Sequence, residues 1–293
     1  MAGLPTPLLY IGTVVIWGTA WFGITLQLGS VPILVSVAWR FLAAAAVLFA
    51  ILWHRGERLW FPPRIIAAAC ALGLLNFSFS YFLFYRATVN LPSGVVSLVY
   101  GLIIPLNLIA GAIVQGVPIT GRAVVAGVIG LAGLALVFLP ELQSFSLQSG
   151  AIIGFAAAAG ATLVSCLSQS AWVVFRRTGT PLMPALAWAM LAAGVATLLA
   201  AVALDLPLTI EWSPRYLGSF VFLVLASSVL ANLWYMELLH RIGLGPAAYG
   251  SLIYPVLALA ISTVLEGFEW TWIVVLGVIL VLAGNALVLI RRI

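Results

Sequence analysis

Ten apolar stretches, most of them close to twenty residues long, follow one another through this chain with only short polar connectors between them. A helix needs about 20 apolar residues to cross the hydrocarbon core of a bilayer, because each residue adds only ~1.5 Å. A spanning helix also satisfies its own backbone donors and acceptors where no water is present to do so. The stretches are Leu8–Leu28, Pro32–Trp53, Ile65–Tyr85, Ser93–Gln115, Gly121–Leu139, Gly150–Phe175, Leu182–Leu204, Tyr216–Leu239, Pro246–Glu266 and Thr271–Ile290. The composition fits no soluble domain: 65% of residues are hydrophobic, 6% are charged and the mean hydropathy is +1.25. The expected fold class is an all-α integral membrane protein with ten transmembrane helices.

All twelve basic residues are arginine, and the net charge is +5. No basic, wet surface of the kind that nucleic acid requires is present. Arg55, Arg58, Arg64, Arg122, Arg176, Arg177, Arg241, Arg291 and Arg292 flank the spans on the side of the N-terminus. Arg86 and Arg215 flank the other side, together with Glu141, Asp205, Glu211, Glu266 and Glu269. The positive-inside rule then places both termini in the cytoplasm of a multi-pass protein of the bacterial inner membrane. The opening MAGLPTPLLYIG has no basic region before its apolar run and reads as a retained first span. Cys70 and Cys166 lie inside apolar runs and read as small buried residues, not as a disulfide or metal pair. No cofactor and no metal are expected.

The chain also matches itself. Tyr85–Leu139 resembles Tyr235–Ile290: with Pro105 on Pro255, 150 residues apart, Gly127-Val128-Ile129 falls on Gly277-Val278-Ile279. Pro32 and Trp39 fall on Pro181 and Trp188, 149 residues apart. The reading is two five-helix repeats, residues 1–145 and 146–293. Five is odd, so the halves insert in opposite orientations, a signature of transporters that work by alternating access. In this alignment Gly116 stands opposite Glu266, and Ala189 opposite Arg40. Pro105 and Pro255 lie mid-span, with Gly101 and Ser251 one turn earlier. A mid-helix proline removes a backbone hydrogen bond, so these four residues are read as paired hinges.

Trp17-Gly18 in the first span, Pro32 with Arg40-Phe41 in the second, and the Tyr254-Pro255 to Gly277 pattern with Glu266 resemble the EamA type of drug/metabolite transporter. The resemblance covers essentially the whole chain in two copies, and is greatest to the YddG-like amino-acid exporters. It implies a ten-helix inner-membrane exporter with a central cavity between the halves. The family commonly carries a glutamate after the fourth span as well as after the ninth, and this chain departs from that pattern.

Ionisable groups at mid-depth in a membrane are costly and usually functional. Arg40 is the clear case, read either as a ligand for a substrate carboxylate or as a structural arginine bonded to freed carbonyls. Glu237 lies near the end of its span beside His240 and Arg241, an interfacial partner of those side chains. Polar and aromatic residues mark the other candidate lining faces: Trp17 and Trp21; Asn76, Ser80 and Tyr81; Tyr100; Ser165, Ser168, Gln169 and Trp172; Ser228, Asn232 and Tyr235; Tyr254. Of these, Trp17, Trp21, Arg40, Asn76, Ser80, Tyr81, Tyr100, Ser168, Trp172, Asn232 and Tyr254 form the expected substrate-binding set. Each alone also fits helix packing or an interfacial aromatic belt. Together, amides, hydroxyls and aromatic faces suit an uncharged or zwitterionic small molecule with a ring or an ammonium group.

No catalytic cluster or phosphate-binding loop is present, so no enzyme is expected. The leading reading is a secondary exporter of aromatic and other neutral amino acids. Alternatives are a multidrug or metabolite efflux carrier, a sugar-phosphate-type exchanger of the same fold and, from another class, a non-transporting membrane scaffold. A cation–proton antiporter needs a mid-depth carboxylate, and a phosphate exchanger needs several basic groups. The expected partners are the substrate and the lipid bilayer, with the chain a monomer unless Gly127, Gly130 and Gly133 serve a dimer.

Overall fold

The computed structural model describes residues 4–116, 119–143, 150–242 and 250–289. These residues are helical, without a strand among them. The first half holds α1 (Thr6–Thr25), α2 (Ile33–His54), α3 (Pro63–Gly73), α4 (Tyr81–Thr88), α5 (Ser93–Tyr100), α6 (Ile103–Gln115) and α7 (Gly121–Gln143). The second holds α8 (Gly150–Phe175), α9 (Leu182–Ala203), α10 (Pro214–Val221), α11 (Ala231–Ile242), α12 (Gly250–Leu265) and α13 (Trp272–Leu289). Two π-helical stretches, Leu74–Ser80 and Phe222–Leu230, join α3 to α4 and α10 to α11 into continuous rods. Six helices are long and apolar enough to cross a membrane: Thr6–Thr25, Ile33–His54, Pro63–Thr88, Gly150–Thr178, Leu182–Ala203 and Pro214–Tyr235. Four shorter apolar stretches accompany them, Ser93–Asn107, Val124–Val137, Ile253–Leu265 and Trp272–Leu287. The expected boundary between residues 145 and 146, the expected span start at Pro246, and Arg291 and Arg292 lie outside the described residues.

Proline sets where many of these helices begin. Pro5, Pro32, Pro62, Pro92 and Pro181 each stand immediately before a helix, and Pro214 opens α10. The first turn of a helix has no use for the missing N–H, and proline's φ is already set for entry. Glycine sets two matching ends. Gly116 after α6 has φ 68°, and Gly267 after α12 has φ 69°, the left-handed conformation that closes a helix without a Cβ clash. The two glycines are 151 residues apart, one more than the 150 that separates Pro105 from Pro255.

The same 151-residue offset appears where α7 crosses α13. A β-carbon on Gly133 would stand 2.6 Å from the Gly277 carbonyl oxygen and 2.7 Å from the Val281 nitrogen. One on Gly284 would stand 2.7 Å from the Ala126 carbonyl oxygen and 2.9 Å from the Gly130 nitrogen. Adding 151 to 126, 130 and 133 turns the first set of contacts into the second. Small residues at both points let the backbones touch, and close packing is what holds helices together where lipid offers no hydrophobic drive.

The expected continuous span Ser93–Gln115 is broken. α5 ends at Tyr100, a turn at Gly101-Leu102 follows, and α6 begins at Ile103. Pro105 then lies in the first turn of α6, where its missing N–H costs little. Pro255, by contrast, lies inside the unbroken α12, one turn after Ser251. Ser97-Leu98-Val99-Tyr100-Gly101 resembles Ser251-Leu252-Ile253-Tyr254-Pro255 at an offset of 154. The offset falls to 151 by the Gly116 and Gly267 ends, so the first half has three residues more in this interval, and the break takes them up.

Among the described residues four apolar clusters form, two of them large. One gathers α2, the α3–α4 rod, α9 and the α10–α11 rod, with Phe41, Leu48, Phe77, Met190 and Leu223 at its centre. The other gathers α5, α7, α8, α12 and α13 around Val96, Leu98, Leu134, Ala158, Leu259 and Val281. Trp21 of α1 and Phe84 of α4 belong to the second cluster and stand next to the first. Large apolar side chains such as Ile11, Leu167, Leu199 and Ile279 are exposed on the outside, as a lipid-facing surface requires. Outside the apolar spans, Ser213 and Ser30 hydroxyls hold the Glu211 carboxyl below the usual range and tie two connectors together.

Candidate substrate site

Arg40 is only 1% exposed, seven residues into α2. Its Nε donates to Ser228 Oγ at 3.1 Å and its Nη2 to Ser227 Oγ at 3.3 Å. The guanidinium lies 4.8 Å from the Tyr81 ring centre and 5.3 Å from that of Phe41. Nη1 is buried and has no hydrogen-bond partner. The salt bridges found among the described residues are Arg55–Glu57 and Arg241–Glu237, so no carboxylate of these residues neutralises Arg40. Burying a cation costs several kcal/mol unless hydrogen bonds and a counter-charge repay it. Serine hydroxyls and aromatic faces offset part of that cost.

The π-helical stretch Phe222–Leu230 makes this arrangement possible. A π turn widens the helix and frees carbonyls from their usual partners. Here the Ser227 carbonyl accepts from Trp17 Nε1 at 3.2 Å, while Asn232 Nδ2 donates to the Ser228 carbonyl at 2.9 Å. The hydroxyls of the same two serines are then free to hold Arg40.

An aromatic wall leads away from Arg40. Tyr81 meets Phe84 at 6.3 Å, Phe84 meets Trp21 at 5.1 Å and Tyr100 at 5.6 Å, and Trp21 meets Tyr100 at 5.4 Å. Trp17 makes a second patch with Tyr235 at 5.1 Å and Tyr254 at 5.8 Å. Past Tyr100 the lining turns polar. Gln169 Nε2 donates to the Tyr100 hydroxyl at 3.2 Å, and Asn107 Nδ2 donates to Gln169 Oε1 at 2.8 Å. Asn107 Oδ1, Ser97 Oγ, Ser168 Oγ and Asn285 Nδ2 are buried without a partner. Buried polar atoms normally find partners, so these four, on α5, α6, α8 and α13, stand out among the described residues.

The structure thus brings Trp17, Trp21, Arg40, Tyr81, Tyr100 and Tyr254 into one connected centre. It gives other candidates different contacts. Ser80 is fully buried and bonds Ser165 Oγ at 2.6 Å, a link between α8 and the π stretch Leu74–Ser80. Asn232 serves the carbonyls of its own helix. Trp172 packs on Phe175 at 5.2 Å and against both the Leu72–Ala185 cluster and the one centred on Phe41 and Phe77. Asn76 lies half-buried in its π stretch, and Ser168 joins the unpaired group. Ser227, Asn107, Gln169 and Asn285 complete the polar lining and were not in the expected set. Asn107 and Asn285 had a visible signal: each is an amide inside an apolar run.

At one end of the bundle Glu266 and Ser262 tie α5 to α12. Glu266 accepts from the Ser93 backbone N–H at 3.0 Å, from Ser93 Oγ at 2.7 Å and from Ser262 Oγ. Ser262 Oγ accepts from the Gly94 N–H at 2.7 Å, and a β-carbon on Gly94 would stand 2.7 Å from Leu259 Cα. A carboxylate on the first turn of α5 meets the positive end of its dipole, so the contact fastens α5 to α12. Glu266→Gln is expected to raise hydrogen exchange at the Ser93–Val96 amides by about tenfold, the equivalent of one charge-assisted bond. Unchanged protection would show that the carboxylate fastens nothing.

Membrane-length helices packed around a buried cation, an aromatic wall and unpaired polar groups are the build of a membrane transport protein. The chain belongs to the EamA-like transporter family, whose model matches residues 4–139. It is 31% identical over 284 residues to the "Uncharacterized inner membrane transporter YedA" of Escherichia coli strain K12, a match that covers 93% of this chain and 89% of that protein. YedA of Escherichia coli O157:H7 matches to the same extent. A solved crystal structure aligns over 96% of this chain and 95% of its own, with a TM-score of 0.69 at 21% identity, and shares the fold. These likenesses identify an EamA-type member of the drug/metabolite transporter superfamily, a multi-pass inner-membrane protein.

Proposed function

We propose that this transporter is a ten-span secondary carrier, built as two inverted five-helix repeats, that exports aromatic and other neutral amino acids by alternating access. The observation that carries the reading is Arg40: a buried guanidinium with one nitrogen unpaired and no carboxylate partner among the described residues. It suits the carboxylate of a zwitterion, to which arginine bonds with charge assistance. The tyrosine and tryptophan rings suit an ammonium group or an apolar side chain. A cation antiporter is less well served, since Glu237 is engaged by Arg241 at 2.8 Å.

Three features support the inverted repeat: π stretches at corresponding places, matching left-handed ends at Gly116 and Gly267, and the α7–α13 contacts that exchange under one offset. The glycines of that crossing are used within the chain, which favours a monomer. The arginine distribution puts both termini in the cytoplasm and the Glu266 latch at the periplasmic face. The state described is then closed to the periplasm. Gly101 and Pro255, at matching places after Tyr100 and Tyr254, serve as the pivots between states.

Counterflow tests the reading. Liposomes holding purified protein and excess unlabelled phenylalanine or leucine should transiently accumulate the labelled amino acid, without ATP. Pro255→Ala should slow that exchange several-fold per folded molecule while expression stays near wild type, because an unbroken hydrogen-bond ladder stiffens the pivot. No accumulation of any neutral amino acid would reject the substrate class. Wild-type turnover in the variant would reject the pivot alone.

A further inference from the structure

A groove of about 380 Å³ opens at the end of the bundle opposite Glu266, far from the aromatic wall. Phe49, Ala50 and Trp53 of α2, Leu59 and Trp60 of the following connector, and Trp188 and Leu191 of α9 line it. The connector is pinned in place: Trp188 Nε1 donates to the Leu59 carbonyl at 2.9 Å. Phe49 and Trp60 pack on the Trp188 ring at 5.3 and 5.2 Å. The groove is thus a built feature, made of aromatic and aliphatic surface. Trp53 is 79% exposed and Trp60 68%, so the walls face outward, not into the bundle.

Its rim is cationic. Arg58 Nε donates to the Trp60 carbonyl at 2.6 Å, and its guanidinium lies 5.3 Å from the Phe61 ring centre. The side chain is thereby held beside the groove with its terminal nitrogens uncommitted. Arg55 is exposed and weakly paired with Glu57 at 3.7 Å, and Arg64 follows, also exposed. Two arginines on this short connector, and Arg64 in the first turn of α3, stand against the one carboxylate of Glu57.

The corresponding connector at the other end has the opposite charge. There Trp39 Nε1 donates to the Thr209 carbonyl at 3.3 Å, the same pinning by an indole, and Trp212 is 78% exposed. That connector carries Asp205 and Glu211, with Arg215 after it. Equivalent scaffolding with opposite charge means that the arginine rim is not required by the fold.

We propose that the groove is a site for an anionic phospholipid of the arginine-side leaflet, with an acyl chain along Phe49, Trp53 and Trp188 and the phosphate against Arg58 and Arg55. The inference takes from the proposed function only the side of the membrane; it does not depend on the substrate. Interfacial tryptophans lie at the headgroup level, and arginine beside an anionic surface gains from each charge it meets. The occupant is committed by charge complementarity: a zwitterionic lipid would use the apolar groove and gain little from the rim.

The test uses full-length protein in phosphatidylcholine vesicles containing a trace of phosphatidylglycerol with a photoreactive diazirine in its acyl chain, or the same chain on phosphatidylcholine. Labelled peptides are mapped by mass spectrometry. The expected result is labelling of residues 49–64 that is roughly fivefold stronger from phosphatidylglycerol. The exposed double variant Arg55→Gln with Arg58→Gln should lower it to the phosphatidylcholine level. Ala50→Trp, which fills the groove, should abolish labelling there from both lipids. Equal labelling by the two lipids, labelling insensitive to the double variant, or labelling spread evenly over the outer surface would each overturn the proposal. Amino-acid counterflow is not part of the readout, so loss of the transport reading and loss of the lipid site are separate results.

Discussion

Arg40→Gln is expected to lower transport of amino acids by roughly 10- to 100-fold while leaving the protein folded. Glutamine keeps donors near Ser227 and Ser228, which now hold Nη2 and Nε. It removes a buried charge that no carboxylate of the described residues balances, so stability should hold or rise. The loss should be confined to substrates with a carboxylate: an amino-acid amide has no anion to offer and should be moved equally by both proteins. Uptake kinetics on the pair of substrates, normalised to folded protein, check this. An equal loss for acid and amide would make Arg40 a structural arginine that shapes the π stretch.

Gly133→Leu is expected to abolish a stable fold. The space at Gly133 is closed by backbone, the Gly277 carbonyl and the Val281 N–H, not by a flexible side chain that can turn aside. Overpacking a rigid contact costs about 3 kcal/mol or more, and here it would separate α7 from α13 along their crossing. Gly121→Leu, at the start of the same helix with nothing within 4 Å, is the control and should be neutral. Thermal unfolding of both variants in detergent gives the comparison. A Gly133→Leu protein as stable as wild type would mean that the crossing is looser than described.

Much of this architecture was open to sequence reasoning because a membrane imposes it. Apolar run length found the six membrane-length helices among the described residues, since about 20 apolar residues are needed to cross the hydrocarbon. Proline marks several helix starts in the structure, beside Pro32, Pro62, Pro181 and Pro214, but the expected spans used it only at Pro32. Arg40 stood out because a charge at mid-depth is costly. Other features have no sequence signature of that strength. A π stretch adds one residue to a turn, and in Phe222–Leu230 the apolar pattern runs on uninterrupted. The role of Ser227 was therefore hidden, as was the use of Asn232 on its own helix. The pairing of Pro105 with Pro255 also rested on residue type. A second match, of Ser97–Gly101 to Ser251–Pro255, would set Gly101 instead of Pro105 opposite Pro255. Ser80 and Trp172 make packing contacts that residue type alone does not disclose.

The central claim is that the bundle centre grips the carboxylate of an amino acid through Arg40. Its most direct test is equilibrium binding to the purified wild-type protein, followed by intrinsic tryptophan fluorescence, with leucine and leucinamide as the matched pair. Trp17 and Trp21 lie in the wall, so a guest there should change the emission. The account predicts saturable binding of leucine and at least about tenfold weaker binding of leucinamide, the value of a charge-assisted contact to a buried guanidinium. Equal affinity for the two, or tighter binding of the amide, would contradict it.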